Sequence, residues 1–194
     1  MKKLILILVC FIGYIGFSQN NYEALREAYE YKRAYLEDLI GKCNIAIDYK
    51  EFSDAHRFAD DVIRAAPNDF MGYGLKSRIY YEKGNLPESY NYAYISYKKT
   101  PREDTRNLFE MRHKDFTEFL NKKLEIKHYE TIIYYCSTIN YKTKVINYYL
   151  GLAYFNINDF KNAKKSLKKA KGIGYAKYYL KEIKEKKKLK KKRN

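Results

Sequence analysis

The chain has no tryptophan, three prolines, nine glycines and three cysteines in 194 residues. So few prolines and glycines exclude a turn-dense or collagen-like chain and leave long stretches free to form helix. Three cysteines are too few for a disulfide scaffold. The three histidines, His56, His113 and His128, fall in separate segments, with no partners at metal-ligand spacing. No metal and no other cofactor is expected. Gly72-Tyr73-Gly74 and Gly172-Ile173-Gly174 lack the rest of a phosphate-binding loop. No serine or cysteine stands in a nucleophile elbow. The adjacent acids Asp60-Asp61 and Glu103-Asp104 would point apart on a helix and make poor acid–base pairs. Enzymatic activity is not expected, and the length excludes a barrel enzyme of the usual ~250 residues.

What is present is apolar material and positive charge. Hydrophobic residues make up 46%, enough for a core, and tyrosine alone accounts for 23 residues. Lysine and arginine total 39 against 23 acids, a net charge of +16. The excess is uneven. Residues 161–194 contribute +14 and residues 1–18 contribute +2, so the intervening body is neutral. A neutral body with a basic end is a different object from a uniformly basic protein.

Lys2 and Lys3 precede an apolar run from Leu4 to Phe17, followed by Ser18. The run is shorter than the ~20 residues of a membrane span. A basic start, a short apolar stretch and small residues at Gly16 and Ser18 predict a cleavable signal peptide over 1–18, cut after Ser18. An exported, periplasmic or envelope-associated protein is the resulting expectation. In that setting Cys43 and Cys136 could pair, although buried thiols are the favoured expectation.

The chain repeats itself. Pro67 and Pro101 are 34 residues apart, and at that shift Cys43 meets Ser77, Ala55 meets Ser89 and Ala59 meets Ala93. At a further shift of 74, Ser77 meets Gly151, Tyr80 meets Tyr154 and Ser89 meets Ala163. That interval holds one more unit with an insertion of six residues. Each unit predicts two helices. In the second, a helix from Phe70 to Glu82 breaks at Gly84-Asn85 and resumes at Pro87, a residue suited to a first helical turn. Asn68 and Asp69, then Asp104 and Thr105, are placed to cap the following helices.

These residues resemble the tetratricopeptide repeat family, whose units of 34 residues are helix–turn–helix pairs with this order of aromatic, small and proline positions. The matching residues of the second unit are Tyr73, Ser77, Tyr80, Gly84, Ser89, Ala93, Ser96 and Pro101. The resemblance implies an all-α chain of repeats stacked into a short right-handed α-solenoid. The array would cover 36–175 in four units (36–69, 70–103, an irregular 104–143, and 144–175). Residues 19–35 would form an N-terminal helical extension or cap, and residues 176–194 a basic capping helix and lysine-rich tail.

The resemblance also implies a concave groove that binds a protein or peptide segment. Carried over, the groove residues are Asn44, Arg78, Tyr81, Glu82, Tyr148, Leu152 and Phe155. Ile40 stands where the carboxylate-clamping members carry lysine, so that clamp is not expected. The tail offers Lys181, Lys184, Lys186, Lys187, Lys188, Lys190, Lys191, Lys192 and Arg193 to an anionic envelope surface. The expected function is a non-enzymatic adaptor or scaffold of the bacterial cell envelope. Nucleic acid is not an expected partner for an exported chain. One alternative is a cytoplasmic protein that binds nucleic acid through the same tail. Another is a structural subunit of an envelope complex, anchored through residues 4–17.

Overall fold

The computed structural model describes the backbone of residues 2–193 and the side chains of residues 21–186, 188 and 189. The proposed leader, residues 1–18, lies outside the described side chains. Nine helices and no strand occur among the described residues. They are α1 (Lys2–Asp48), α2 (Phe52–Ala65), α3 (Met71–Glu82), α4 (Leu86–Lys99), α5 (Glu103–Glu125), α6 (Tyr129–Thr138), α7 (Lys144–Asn156), α8 (Phe160–Lys169) and α9 (Ala176–Arg193). Each packs on its neighbours in chain order, so the chain is an all-α stack of helix–turn–helix pairs. Among the described residues no helix is long and apolar enough to cross a membrane.

The pairs share one turn. Between α1 and α2, α3 and α4, α5 and α6, and α7 and α8, a single residue adopts a left-handed conformation. These are Lys50 (φ 60°), Gly84 (φ 72°), Lys127 (φ 59°) and Asn158 (φ 62°). In each case its N–H bonds three residues back and the next N–H bonds five residues back. Lys50 reaches Ile47 and Glu51 reaches Ala46; Gly84 reaches Tyr81 and Asn85 reaches Tyr80. Lys127 reaches Leu124 and His128 reaches Lys123; Asn158 reaches Phe155 and Asp159 reaches Tyr154. This is the Schellman ending, which satisfies carbonyls that the helix itself leaves free.

Anchoring the chain on these four residues recovers the repeat through its irregular part. Seven residues before the turn stand Cys43, Ser77, Leu120 and Gly151, all buried. Five after it stand Ala55, Ser89, Ile132 and Ala163, and nine after it Ala59, Ala93, Cys136 and Leu167, all fully buried. The turns at Gly84 and Lys127 are 43 residues apart, and those at Lys127 and Asn158 are 31 apart. The six-residue insertion therefore resolves into nine residues gained before the third turn and three lost after it. The gain lengthens α5 to 23 residues, against 12 in α3.

Small residues set how closely a pair approaches. The Ser77 hydroxyl donates to the Ser89 carbonyl at 2.9 Å, and the Ser89 hydroxyl donates back to the Ser77 carbonyl at 2.8 Å. Cys43 donates to the Ala55 carbonyl at 3.3 Å, one repeat earlier. At Gly151 a Cβ would come within 2.6 Å of Leu167 Cγ, so no side chain fits. The third pair has Leu120 and Ile132 at these positions, and α5 packs less intimately on α6.

The helix starts are capped locally. Asn85, Thr143 and Asp159 side chains accept from the N–H groups of Glu88, Ile146 and Asn162. Asp69 accepts from the Met71 N–H at 2.8 Å, whereas Asn68 meets Lys99. At α5 the N-cap is Arg102, and Thr105 acts from inside the helix, accepting from the Arg102 N–H at 3.1 Å.

Candidate partner-binding groove

The first helices of successive pairs lie side by side, and α1, α3 and α5 enclose an open cavity of about 440 Å³. Ile40 of α1 forms one side, and Met71, Gly74 and Leu75 of α3 form the floor. Leu108 and Met111 of α5 form the opposite wall, with Phe70 and Ser96 closing one end. Met111 is half exposed at the lip. Charged lining groups are confined to Arg78, Arg112 and Asp104.

Gly74 adds no side chain to this lining. It stands ten residues before its turn, where the other units carry Ile40, Thr117 and Tyr148. A Cβ placed there would meet Ser96 Oγ at 3.7 Å and Leu108 Cδ2 at 3.8 Å, ordinary contact distances. Neither close packing nor a left-handed backbone requires this glycine. Gly72 is the contrast: its Cβ would lie 2.6 Å from Ile63 Cγ1.

The two guanidinium groups are held differently. Arg78 donates to Asn44 Oδ1 at 2.8 Å and to Asp48 Oδ1 at 2.7 Å, at a partly exposed rim. Arg112 is buried, lies 3.6 Å over the Tyr81 ring and donates to Asp115 Oδ2 at 3.1 Å. Its Nε has no acceptor among the described residues. An unmet buried N–H is costly, and cation–aromatic attraction offsets part of that cost.

Of the sequence-predicted groove residues, Asn44, Arg78 and Tyr81 come together at this site. Glu82 is exposed at the end of α3. Tyr148, Leu152 and Phe155 do not join them. Leu152 is buried. Phe155 packs edge-on against Tyr179 of α9 at 4.9 Å, and the Tyr148 hydroxyl accepts from the Tyr175 N–H at 3.4 Å. The terminal helix occupies the surface that these residues would otherwise present. Of the tail residues, Lys181, Lys184, Lys186 and Lys188 are exposed. Lys186 lies 5.0 Å from the Phe155 ring centroid. Lys187, Lys190, Lys191, Lys192 and Arg193 fall outside the described side chains.

Leu108, Met111 and Arg112 were not among the sequence-predicted residues. They lie in the extra turns of α5, which have no counterpart in α3 or α7. The signal that finds them is the turn at Lys127, which shows where the added residues sit.

The titratable groups offer little chemistry. Burial pushes the Cys43 thiol up to about 11 and the Cys136 thiol up to about 12. Both are free and sit in different core clusters, so both remain thiols at neutral pH. Burial holds His113 below its usual value, with its Nε2 2.9 Å from Thr143 Oγ1. Among the described residues no three His, Cys, Asp or Glu side chains are grouped to hold a metal ion. No protein-family model matches the chain, and no curated protein is similar to it.

Proposed function

We propose that the chain is a tetratricopeptide-like adaptor that captures a segment of a partner protein in the α1–α3–α5 groove and performs no chemistry of its own. The observation that carries this reading is the groove itself: an open, almost wholly apolar cavity with a glycine in its lining and two arginines at its border. The 34-residue interval and the four repeated turns support the family assignment. The leader-like start supports action in the bacterial cell envelope after removal of residues 1–18. The basic end then adds attraction to anionic surfaces without specificity.

Photo-cross-linking in cells tests this. A photoreactive residue at position 111 is expected to give one discrete adduct in the envelope fraction, on a chain beginning at Gln19. The same residue at position 130, on α6, is expected to give none. Equal labelling from both positions, or none from 111, rejects the groove as the working surface.

A further inference from the structure

Gly74 sits inside α3, where glycine is less favourable than alanine by about 0.8–1 kcal/mol. A Cβ there would make only ordinary contacts, with Ser96 and Leu108. The equivalent positions carry isoleucine, threonine and tyrosine, so the fold accommodates a side chain at this place in every other unit. The cavity that Gly74 lines is also bordered by Leu75, Leu108 and Met111. An apolar space open to water is costly to leave unfilled, and an apolar group entering it gains the burial.

The rim adds a second requirement. The lining carries two guanidinium groups and one carboxylate. That carboxylate, Asp104, is engaged with the Thr105 N–H at 2.8 Å and with Arg102 at 3.5 Å. Arg78 pairs with Asp48, whose side chain is largely exposed and readily exchanged. Arg112 has one N–H, on Nε, without an acceptor among the described residues. Asp48 and Asp115 already balance the two arginines, so an incoming carboxylate gains by completing the bonding of Arg112 and by exchanging with exposed Asp48, and it matches the planar guanidinium donors.

We propose that the groove takes a large apolar side chain of a partner segment into the space beside Gly74, with an adjacent acidic side chain received by Arg112 and Arg78. This deepens the adaptor reading and rests on it. The site selects an apolar–acidic pair within a chain.

Methionine supplies the probe. The chain has three methionines, and Met71 and Met111 both line the cavity. The full-length protein labelled with methyl-¹³C methionine would be titrated with the blocked tetrapeptide acetyl-Ala-Leu-Glu-Ala-amide and with its Leu-Gln counterpart. The Leu-Glu peptide is expected to shift the Met71 and Met111 methyl signals saturably. The isosteric Leu-Gln peptide is expected to bind at least fivefold more weakly, and raising the salt is expected to narrow the difference. Gly74→Ile is expected to abolish both responses while the thermal transition persists. Unmoved methyl signals, equal affinity for the two peptides, or undiminished binding to folded Gly74→Ile would overturn the proposal. The comparison of the two peptides needs no variant. Partner capture at position 111 with no response to either peptide would overturn this inference and leave the adaptor reading standing.

Discussion

Two of the four turn residues are lysines in a backbone conformation that glycine adopts freely. A left-handed residue bearing a Cβ costs about 1–2 kcal/mol. Lys50→Gly and Lys127→Gly remove that strain and loosen the unfolded chain, effects of opposite sign. The strain is the larger, so each variant is expected to gain about 0.5–1 kcal/mol in urea denaturation. Gly84→Ala imposes the same strain where none exists and is expected to lose about 1 kcal/mol. If Lys50→Gly were destabilising, the Schellman geometry of the first turn would be wrong. Histidine supplies a second prediction at this scale. Burial depresses His113, and burial with nearby Lys76 and Lys83 depresses His56. Both have an unperturbed value of 6.5, so below it the unfolded chain binds protons that the folded chain refuses. Stability is fully present above that pH and is lost as pH falls through the lower folded values. Thermal melts from pH 8 to pH 5 should show the decline, and His113→Gln should make it shallower.

The helix pair α3–α4 is sensitive to enlargement. Its serines exchange two hydrogen bonds at the crossing, and both are fully buried. Ser77→Leu adds volume where there is no gap and is expected to cost about 1–3 kcal/mol, measured by thermal or urea unfolding. The change places leucine where α5 already has Leu120. The third pair tolerates it because Ile132 faces it and the helices stand farther apart. That difference explains what could and could not be read in advance. Small residues at Cys43, Ser77 and Gly151 made the regular pairs legible, because close approach demands them wherever it occurs. The third pair obeys the same burial register with large residues, so the sequence pattern there looked poor. Its added turns carry Leu108, Met111 and Arg112, which no self-comparison can align. Half of the groove was legible for that reason, and the wall supplied by α5 was not. The misplaced half, Tyr148 and Phe155, has a different cause. Those positions are open in a repeat that has no successor, and here α9 takes the successor's place.

At the scale of the molecule, a stack of pairs is stable only while each face is covered, and the last pair depends on α9. Ala176 and Ile183 of α9 are buried against Ala163, Leu167 and Ala170 of the final pair. Beyond them the helix becomes a run of lysines, and Lys186 still shields Phe155 and Phe160 at 5.0 and 5.4 Å. The helix therefore has a structural first part and a charged second part, with the division just after Lys186. Two truncations separate them. A chain ending at Lys188 keeps Ile183 and Lys186 and removes only Leu189 to Asn194. It is expected to melt as the whole protein does, within about 0.5 kcal/mol, because Leu189 is exposed and surface changes rarely exceed that. It should also bind anionic vesicles more weakly, since each lysine near such a surface contributes about 1 kcal/mol. A chain ending at Gly174 uncovers the α8 face, Tyr148 and Phe155 together. It is expected to lose several kcal/mol, because burying one large apolar side chain contributes about 1.5–3 kcal/mol. It should also bind a hydrophobic dye that the longer chain ignores. A stack couples neighbours only, so the damage should stay local: the methyl signals of Met71 and Met111, in the second and third pairs, should keep their positions in the Gly174 truncation. Loss of those signals would show that the groove and the terminal helix unfold as one unit.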